Sequence, residues 1–395
     1  MTKTVNMLSA ETFNEASSPL FSQKDGKYTI SAKAEKKFSA GMYKASICKE
    51  EFDGKTIEIN IAYECSGEKT SPRALAIFKD KEGTLIQSDY LRKSGSNMTL
   101  TAEIPGGTAE IQLEMFLYCH GWGQVTYDAP VYSINESKPH RIVNIASAYI
   151  AQKGTPEGNL QSCVSVIEKC AKSAQKPDIL CFTECVLDVG CGMKYYITDN
   201  SPEMALIQSR AKSAGMYVIF TAHEEDSEGY RYNTSYLISP RGDISGKYRK
   251  VFLTGMGELK GGLTPGKEFP VFDTEFGKIG LMTCWDQWFP EGARELAGKG
   301  AEIIFWSTRG FHEPRAVTRA MDNGVYLVVS HPKPENCGII EPAWGNFEAR
   351  GNPDDAEGYV MAEIDLDKRL VSQYKSFGRN GSNDHEVFLN ECELF

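Results

Sequence analysis

The chain has 395 residues, 41% of them apolar and 24% charged, a make-up that fits a soluble globular protein of two or three domains. With 43 Lys plus Arg against 53 Asp plus Glu, its net charge is −10, so the basic surplus needed to bind a phosphate backbone is missing and nucleic acid is not an expected partner. No apolar run reaches bilayer length and the first residues contain no apolar export block, so no membrane is expected and a cytoplasmic location is. The 11 cysteines are odd in number and scattered, which in such a compartment means free, mostly buried thiols. The sequons at Asn97, Asn135, Asn233 and Asn380 then carry no meaning.

Residues 1–138 read as an antiparallel β domain. Thr56–Tyr63 and Ala109–Tyr118 alternate apolar and polar residues, the period of a strand with one buried face. Ser66-Gly, Asp80-Lys-Glu-Gly and Pro105-Gly-Gly supply turns between strands, and such spacing predicts a sandwich. In Tyr118-Cys-His-Gly-Trp122, the side chains of Tyr118, His120 and Trp122 suit either a sugar platform or a covered face. Ser133–His140 reads as a linker.

From residue 139 to 395 the pattern becomes α/β. Ile142–Tyr149 is a short apolar strand, followed by a helical stripe of Leu160, Val164, Ile167 and Ala171. A buried strand spans 178–183, and a helix over 202–214 opens on Pro202 and closes at Gly215. Strands are expected near 216–221 and 232–239. Strand 278–283, helix 289–299, strand 301–306, helix 313–322 and strand 325–330 then alternate, as in layered α/β structures.

Two reactive side chains directly follow strands, the place where α/β sheets carry their chemistry. Glu184 comes straight after an apolar strand, and a carboxylate there is either paired or working. Cys284 follows Thr283 and precedes a helix whose positive end favours thiolate. Lys250 closes the basic run Lys247-Tyr-Arg-Lys250. The six histidines and the loose group Cys181, Cys185 and Cys191 match no metal spacing, and no dinucleotide or phosphate-loop fingerprint occurs, so no metal and no other cofactor is expected.

Thr183-Glu184, Tyr248-Arg-Lys250 and Thr283-Cys284-Trp-Asp, in that order, resemble the nitrilase superfamily of carbon–nitrogen hydrolases. Arg319–Val329, Cys337–Pro342 and Gly358–Asp365 are similar to the family's later segments. Residues 1–138 fall outside that family's fold and by their strand pattern resemble galactose-binding-like β-sandwiches, while the resemblance to the nitrilase superfamily implies a nitrilase-type α-β-β-α sandwich at 139–395. It also implies Cys284 as nucleophile, Glu184 as general base and Lys250 as oxyanion partner, with Glu258 as the family's second Glu. Trp285, through its backbone N–H, Asp286, Trp288 and Phe289 are the expected substrate and oxyanion positions. The rings of Trp306, Phe311 and Trp344 either wall the pocket or pack beneath it.

Cys284-Trp-Asp-Gln-Trp-Phe-Pro-Glu291 is most similar to the segment of N-carbamoylputrescine amidase-like members. A linear amide or N-carbamoyl group on a small molecule is therefore the expected substrate, and a homodimer or larger homo-oligomer the expected assembly. Short segments at 250–265 and 307–319, and Val329-Ser-His331, depart from the family pattern around the pocket. A nitrile hydrolase, an acyltransferase and a non-catalytic binding protein are the competing readings.

Overall fold

The computed structural model describes residues 2–6, 9–12, 19–32, 39–48, 52, 54–67, 70–119 and 121–368. His120 and the last 27 residues of the expected second domain lie outside the described residues. The chain divides into two compact units, one running up to Pro139 and the other spanning His140–Leu366.

In the first unit two antiparallel sheets share one hydrophobic core. Lys55–Ser66 is central to one sheet and pairs with Asn97–Glu103, Val131–Glu136 and Gln124–Asp128. Its Ile57, Ile59 and Ile61 are buried while Glu58 and Asn60 face water, the alternation that its sequence carries. Glu110–Cys119 is central to the other sheet, between Ser39–Cys48 and Thr70–Lys79, and contributes Leu113, Met115 and Leu117 to the core. Trp122 is exposed and Tyr118 half-buried.

The second unit has two sheets, each with a parallel centre and antiparallel edges. We number its strands β1 (Ile142–Tyr149), β2 (Ile179–Cys181), β3 (Tyr217–Glu225), β4 (Arg231–Ile238), β5 (Ile244–Arg249), β6 (Val271–Thr274), β7 (Gly277–Thr283), β8 (Ile303–Ser307), β9 (Tyr326–Ser330), β10 (Gly338–Ile340), β11 (Phe347–Arg350) and β12 (Gly358–Asp365). The first sheet has the order β5-β4-β3-β2-β1-β12, with the short strand Tyr196–Ile197 beside β3. The second runs β6-β7-β8-β9-β10-β11.

Helices α1 (Pro156–Ala171) and α2 (Pro202–Ala214) cover the outer face of the first sheet. Thr155 caps α1 by accepting from the Gly158 N–H at 3.1 Å, Pro156 opens it, and Leu160, Cys163, Val164, Ile167 and Cys170 form its buried stripe. Ala171 is exposed, because the stripe drifts round the helix and ends on Cys170. Helices α3 (Pro290–Gly298) and α4 (Glu313–Asn323) pack on the second sheet.

The two inner faces meet through small hydroxyl side chains. Ser147 on β1 donates to the Val329 carbonyl at 2.6 Å, and Ser307 donates to the Phe182 carbonyl at 2.8 Å. Thr183 donates to the Thr308 carbonyl at 2.7 Å, and Ser235 and Thr283 share a bond at 3.1 Å. All five hydroxyl side chains are buried, so each must find a partner, and here the facing sheet supplies one. Burial of mutually satisfied hydroxyls ties the sheets in register where a purely apolar layer could slide.

The Pro265-Gly266 turn crosses the end of β5, where the Gly266 N–H donates to the Lys250 carbonyl at 2.8 Å. A Cβ at Gly266 would lie 1.9 Å from the Arg249 carbonyl oxygen, so only glycine permits this approach. Gly266→Ala is expected to destabilise the second unit by about 3 kcal/mol or more. Thermal unfolding followed by tryptophan fluorescence measures this, and an unchanged midpoint would show that the turn yields.

Candidate active site

Glu184 lies three residues past the end of β2. The next residue, Cys185, has φ of 41°, a left-handed conformation that turns the chain sharply into the 3₁₀ turn Val186–Asp188. Arg309 holds this turn from the second sheet's side. Its Nε donates to the Glu184 carbonyl at 3.1 Å and its Nη2 to the Cys185 carbonyl at 2.5 Å. The Glu184 side chain is buried.

Lys250 follows β5, and its backbone N–H donates to the Asn233 carbonyl on β4 at 2.9 Å. Only 1% of Lys250 is exposed, so its ammonium exists there by virtue of its partners. Nζ donates to Glu184 Oε1 at 2.9 Å and to both Glu258 oxygens, at 2.9 and 3.0 Å. Glu258 sits on a single π-type turn, Gly255–Leu259, and also accepts from the Thr254 backbone N–H at 2.8 Å. Asn233 Nδ2 joins the carboxylates from the side, donating to Glu184 at 2.9 Å and to Glu258 at 2.8 Å.

Burial by itself would raise the Glu184 carboxyl. The nearby charges of Lys250 and Arg309, with hydrogen bonds from Lys250 and Asn233, outweigh that and hold it down at about 2. Burial opposes the Lys250 charge, but Glu184, the facing thiol and Glu258 raise its pKa far above the ordinary lysine value. The resting site therefore contains ionised Glu184 and charged Lys250.

Cys284 follows β7 directly and has φ of 44°. A left-handed cysteine costs about 1–2 kcal/mol, which its surroundings must offset. The Cys284 carbonyl accepts from Trp306 Nε1 at 3.2 Å. Asp286, fully buried, accepts from the Thr283 N–H at 2.7 Å, the Tyr248 hydroxyl at 2.6 Å and the Phe252 N–H at 3.2 Å. The nucleophile turn is thus tied to the Tyr248-Arg-Lys250 segment through one carboxylate. Burial pushes the Asp286 carboxyl up to about 6.

The thiol itself runs against the expectation of a thiolate at a helix N-terminus. Cys284 opens a 3₁₀ turn, Cys284–Trp288, and α3 begins only at Pro290. Burial, then the Glu184 charge, push the thiol up to about 11, with Lys250 only partly opposing them.

Glu184, Lys250, Glu258, Asn233 and Cys284 line one cavity of about 480 Å³, together with Cys185, Asp188, His223, Thr254, Arg309, Met193, Lys194 and glycines. The side chains of the expected substrate positions after the nucleophile are not among that lining. The Asp286 carboxylate is taken up by the backbone and Tyr248, Phe289 stacks on Phe252 at 4.2 Å, and Trp285 packs on the exposed Trp288. Trp306 is buried beneath the turn against Phe311, and Trp344 is half exposed. Trp306 thus supports the nucleophile turn through its bond to the Cys284 carbonyl. Among the described residues no group of His, Cys, Asp and Glu has metal-binding geometry.

Sequence reading missed Asn233, which looks like one more sequon. Its signal is a buried amide inside an apolar strand, a costly arrangement unless bonded. It also missed the His223–Asp188 pair, whose members are 35 residues apart in sequence and meet only through the fold.

The carbon–nitrogen hydrolase family matches residues 144–370. An N-carbamoylputrescine amidase of Arabidopsis thaliana is 40% identical over 119 residues, a match covering 29% of this chain and 40% of that protein. A probable nitrilase of Schizosaccharomyces pombe is 29% identical over 265 residues, covering 59% of this chain and 93% of that one. The crystal structure of a carbon–nitrogen hydrolase from Helicobacter pylori superposes with a TM-score of 0.52 at 22% identity, covering 65% of this chain and 96% of that one.

Alkylation of Cys284 by iodoacetamide is expected to accelerate with pH up to about 11 and not to level off near neutrality. Because the Glu184 charge is part of what raises the thiol, Glu184→Gln should move the midpoint to lower pH. A rate already on its plateau at pH 6 would contradict this ordering of charges.

Proposed function

Because the chain belongs to the carbon–nitrogen hydrolase family, we propose that this amidohydrolase cleaves a linear amide or N-carbamoyl bond of a small molecule through a thioester on Cys284. The observation that carries the proposal is the buried Lys250, bonded to Glu184 and Glu258 in the cavity that Cys284 also lines. The name of the Arabidopsis relative supports the N-carbamoyl form of the reading.

Glu184 is the general base. The Cys284 sulfur attacks the carbonyl carbon as its proton passes to the Glu184 carboxylate. With the thiol near 11 and the carboxyl near 2, transfer ahead of attack is steeply uphill, so the two events are coupled. The carbonyl oxygen becomes an oxyanion. Lys250 makes three contacts with three N–H donors, two of them to the same Glu258 carboxylate, so one donor can turn to the oxyanion while the ion pair survives. The Trp285 backbone N–H is the second donor in this reading.

Collapse of the tetrahedral adduct breaks the C–N bond, and the departing ammonia or amine takes the proton from Glu184. Water then gives a proton to Glu184 and attacks the thioester. The second collapse releases the acid, and the proton returns to the sulfur. Glu258 and Asn233 hold Lys250 and Glu184 in place throughout.

The accessory unit, residues 1–138 ahead of 139–395, is read as a galactose-binding-like sandwich, supported by its paired sheets and common core. A homo-oligomer belongs to the same reading, and sedimentation of the full chain measures it.

Ammonia release from a panel of N-carbamoyl amines, N-carbamoyl amino acids, short amides and nitriles tests the function. Cys284→Ala should abolish it, and Glu184→Gln and Lys250→Met should each reduce kcat by about a thousandfold or more. Intact-protein mass spectrometry should find the acyl group on Cys284. Release from nitriles alone would favour the nitrilase reading, and release unaffected by Cys284→Ala would remove the mechanism.

A further inference from the structure

The hydrolytic groups bond chiefly to one another. Lys250 and Asn233 donate to Glu184 and Glu258, and Thr254 donates to Glu258. What else faces the cavity is polar and carries charge of both signs. The lining contains no aromatic ring other than imidazole and no branched aliphatic side chain; Met193 is its sole long apolar member, and it is 69% exposed. An apolar substrate tail has nothing to pack against.

One part of this wall is an acceptor pair. The His223 Nδ1 lies 2.6 Å from Asp188 Oδ2, and both side chains are buried. The other Asp188 oxygen accepts from the Tyr195 N–H at 3.1 Å, which fixes the carboxylate. In the tautomer that gives Nδ1–H to Asp188, Nε2 of the imidazole is an acceptor. Its neighbour there is the Cys185 sulfur at 3.6 Å, a weak contact, and that thiol donates to Asn233 Oδ1 at 3.4 Å. A buried carboxylate backing an imidazole acceptor suits an ammonium group.

Another part of the wall is cationic. Lys194 Nζ donates to the Gly257 carbonyl at 2.9 Å, and Arg309 donates to the Glu184 and Cys185 carbonyls. Carbonyl oxygens satisfy these hydrogens without cancelling the charges. Lys194 keeps donors in reserve, and its anchor is the turn that carries Glu258. A carboxylate fits beside it.

We propose that the cavity recognises the zwitterionic end of an α-amino acid, so that the substrate is an ω-amide or ω-ureido α-amino acid. His223, backed by Asp188, receives its ammonium, and Lys194, with Arg309 adding to the field, receives its carboxylate. This rests on the hydrolase reading above and narrows its substrate class. A volume of about 480 Å³ holds a molecule of that size, within the range of about 300–1,000 Å³ usual for ligand sites.

Two substrate series hold the reacting group constant and vary only the far end. The amides are L-glutamine, 4-aminobutanamide, glutaramate and butanamide; the ureido compounds are L-citrulline, 4-aminobutylurea, 5-ureidopentanoate and butylurea. In the better series the zwitterion should exceed each single-charge analogue in kcat/KM by about tenfold, the worth of one well-placed charge contact. Asp188→Asn should cut the preference for ammonium-bearing over neutral ends about tenfold, and Lys194→Met the preference for carboxylate-bearing ends. Reading ratios within each variant separates recognition from a general loss of activity. If butanamide, butylurea or a single-charge compound matches or exceeds the zwitterion, this inference falls and the hydrolase reading stands. If none of the eight releases ammonia while another member of the wider panel does, this inference alone falls; if no member of that panel releases ammonia and Cys284 is never acylated, both fall.

Discussion

A lysine ammonium with almost no solvent contact sets the terms for the rest of the second unit. Moving such a charge out of water costs several kcal/mol even after relaxation, and removing one partner of a buried pair costs about 3–5 kcal/mol. Lys250 is tolerable because two carboxylates, themselves held by the Asn233 amide, accept its hydrogens. Those groups come from the loop after β2, from β4 and from the π-type turn before Pro265, so the fold must bring all three together. The same balance lets a buried Glu184 remain ionised beside a neutral thiol.

Precision at this point depends on two sets of buried polar contacts. The hydroxyl seam fixes the register of the two sheets, so that the end of β2 meets the end of β8 and β4 meets the end of β7. Asp286 then joins the left-handed Cys284 turn to Tyr248 and Phe252, beside Lys250. A strained nucleophile turn and a lysine carried by a different sheet become one rigid body through a single carboxylate. Asp286 therefore acts on the chemistry by placing the turn, and its own carboxylate stays out of the cavity.

The sequence made the layered α/β pattern legible because apolar strands and Pro- and Gly-bounded helices leave local signals: α2 over Pro202–Ala214 and α4 over Glu313–Asn323 follow from cap and period alone. Glu184 and Cys284 stood out because each ends an apolar strand. Pocket membership was less legible. Trp285, Trp288 and Phe289 adjoin the nucleophile in sequence, but their rings pack on one another and on Phe252 and do not line the cavity. Asn233, His223 and Asp188 reach it from distant segments with no local mark. The thiol's ionisation was misjudged for a related reason: a sequence reveals the helix that follows, whereas burial and a facing carboxylate appear only after folding.

The central claim is the resting charge distribution, with ionised Glu184, charged Lys250 and neutral Cys284. Difference infrared spectroscopy in the S–H stretching region, wild type minus Cys284→Ala at neutral pH, reads it most directly because the other thiols cancel. The account predicts a Cys284 S–H band in the free protein that disappears when a substrate acylates the sulfur. A free protein without that band would mean a resting thiolate and would contradict the account.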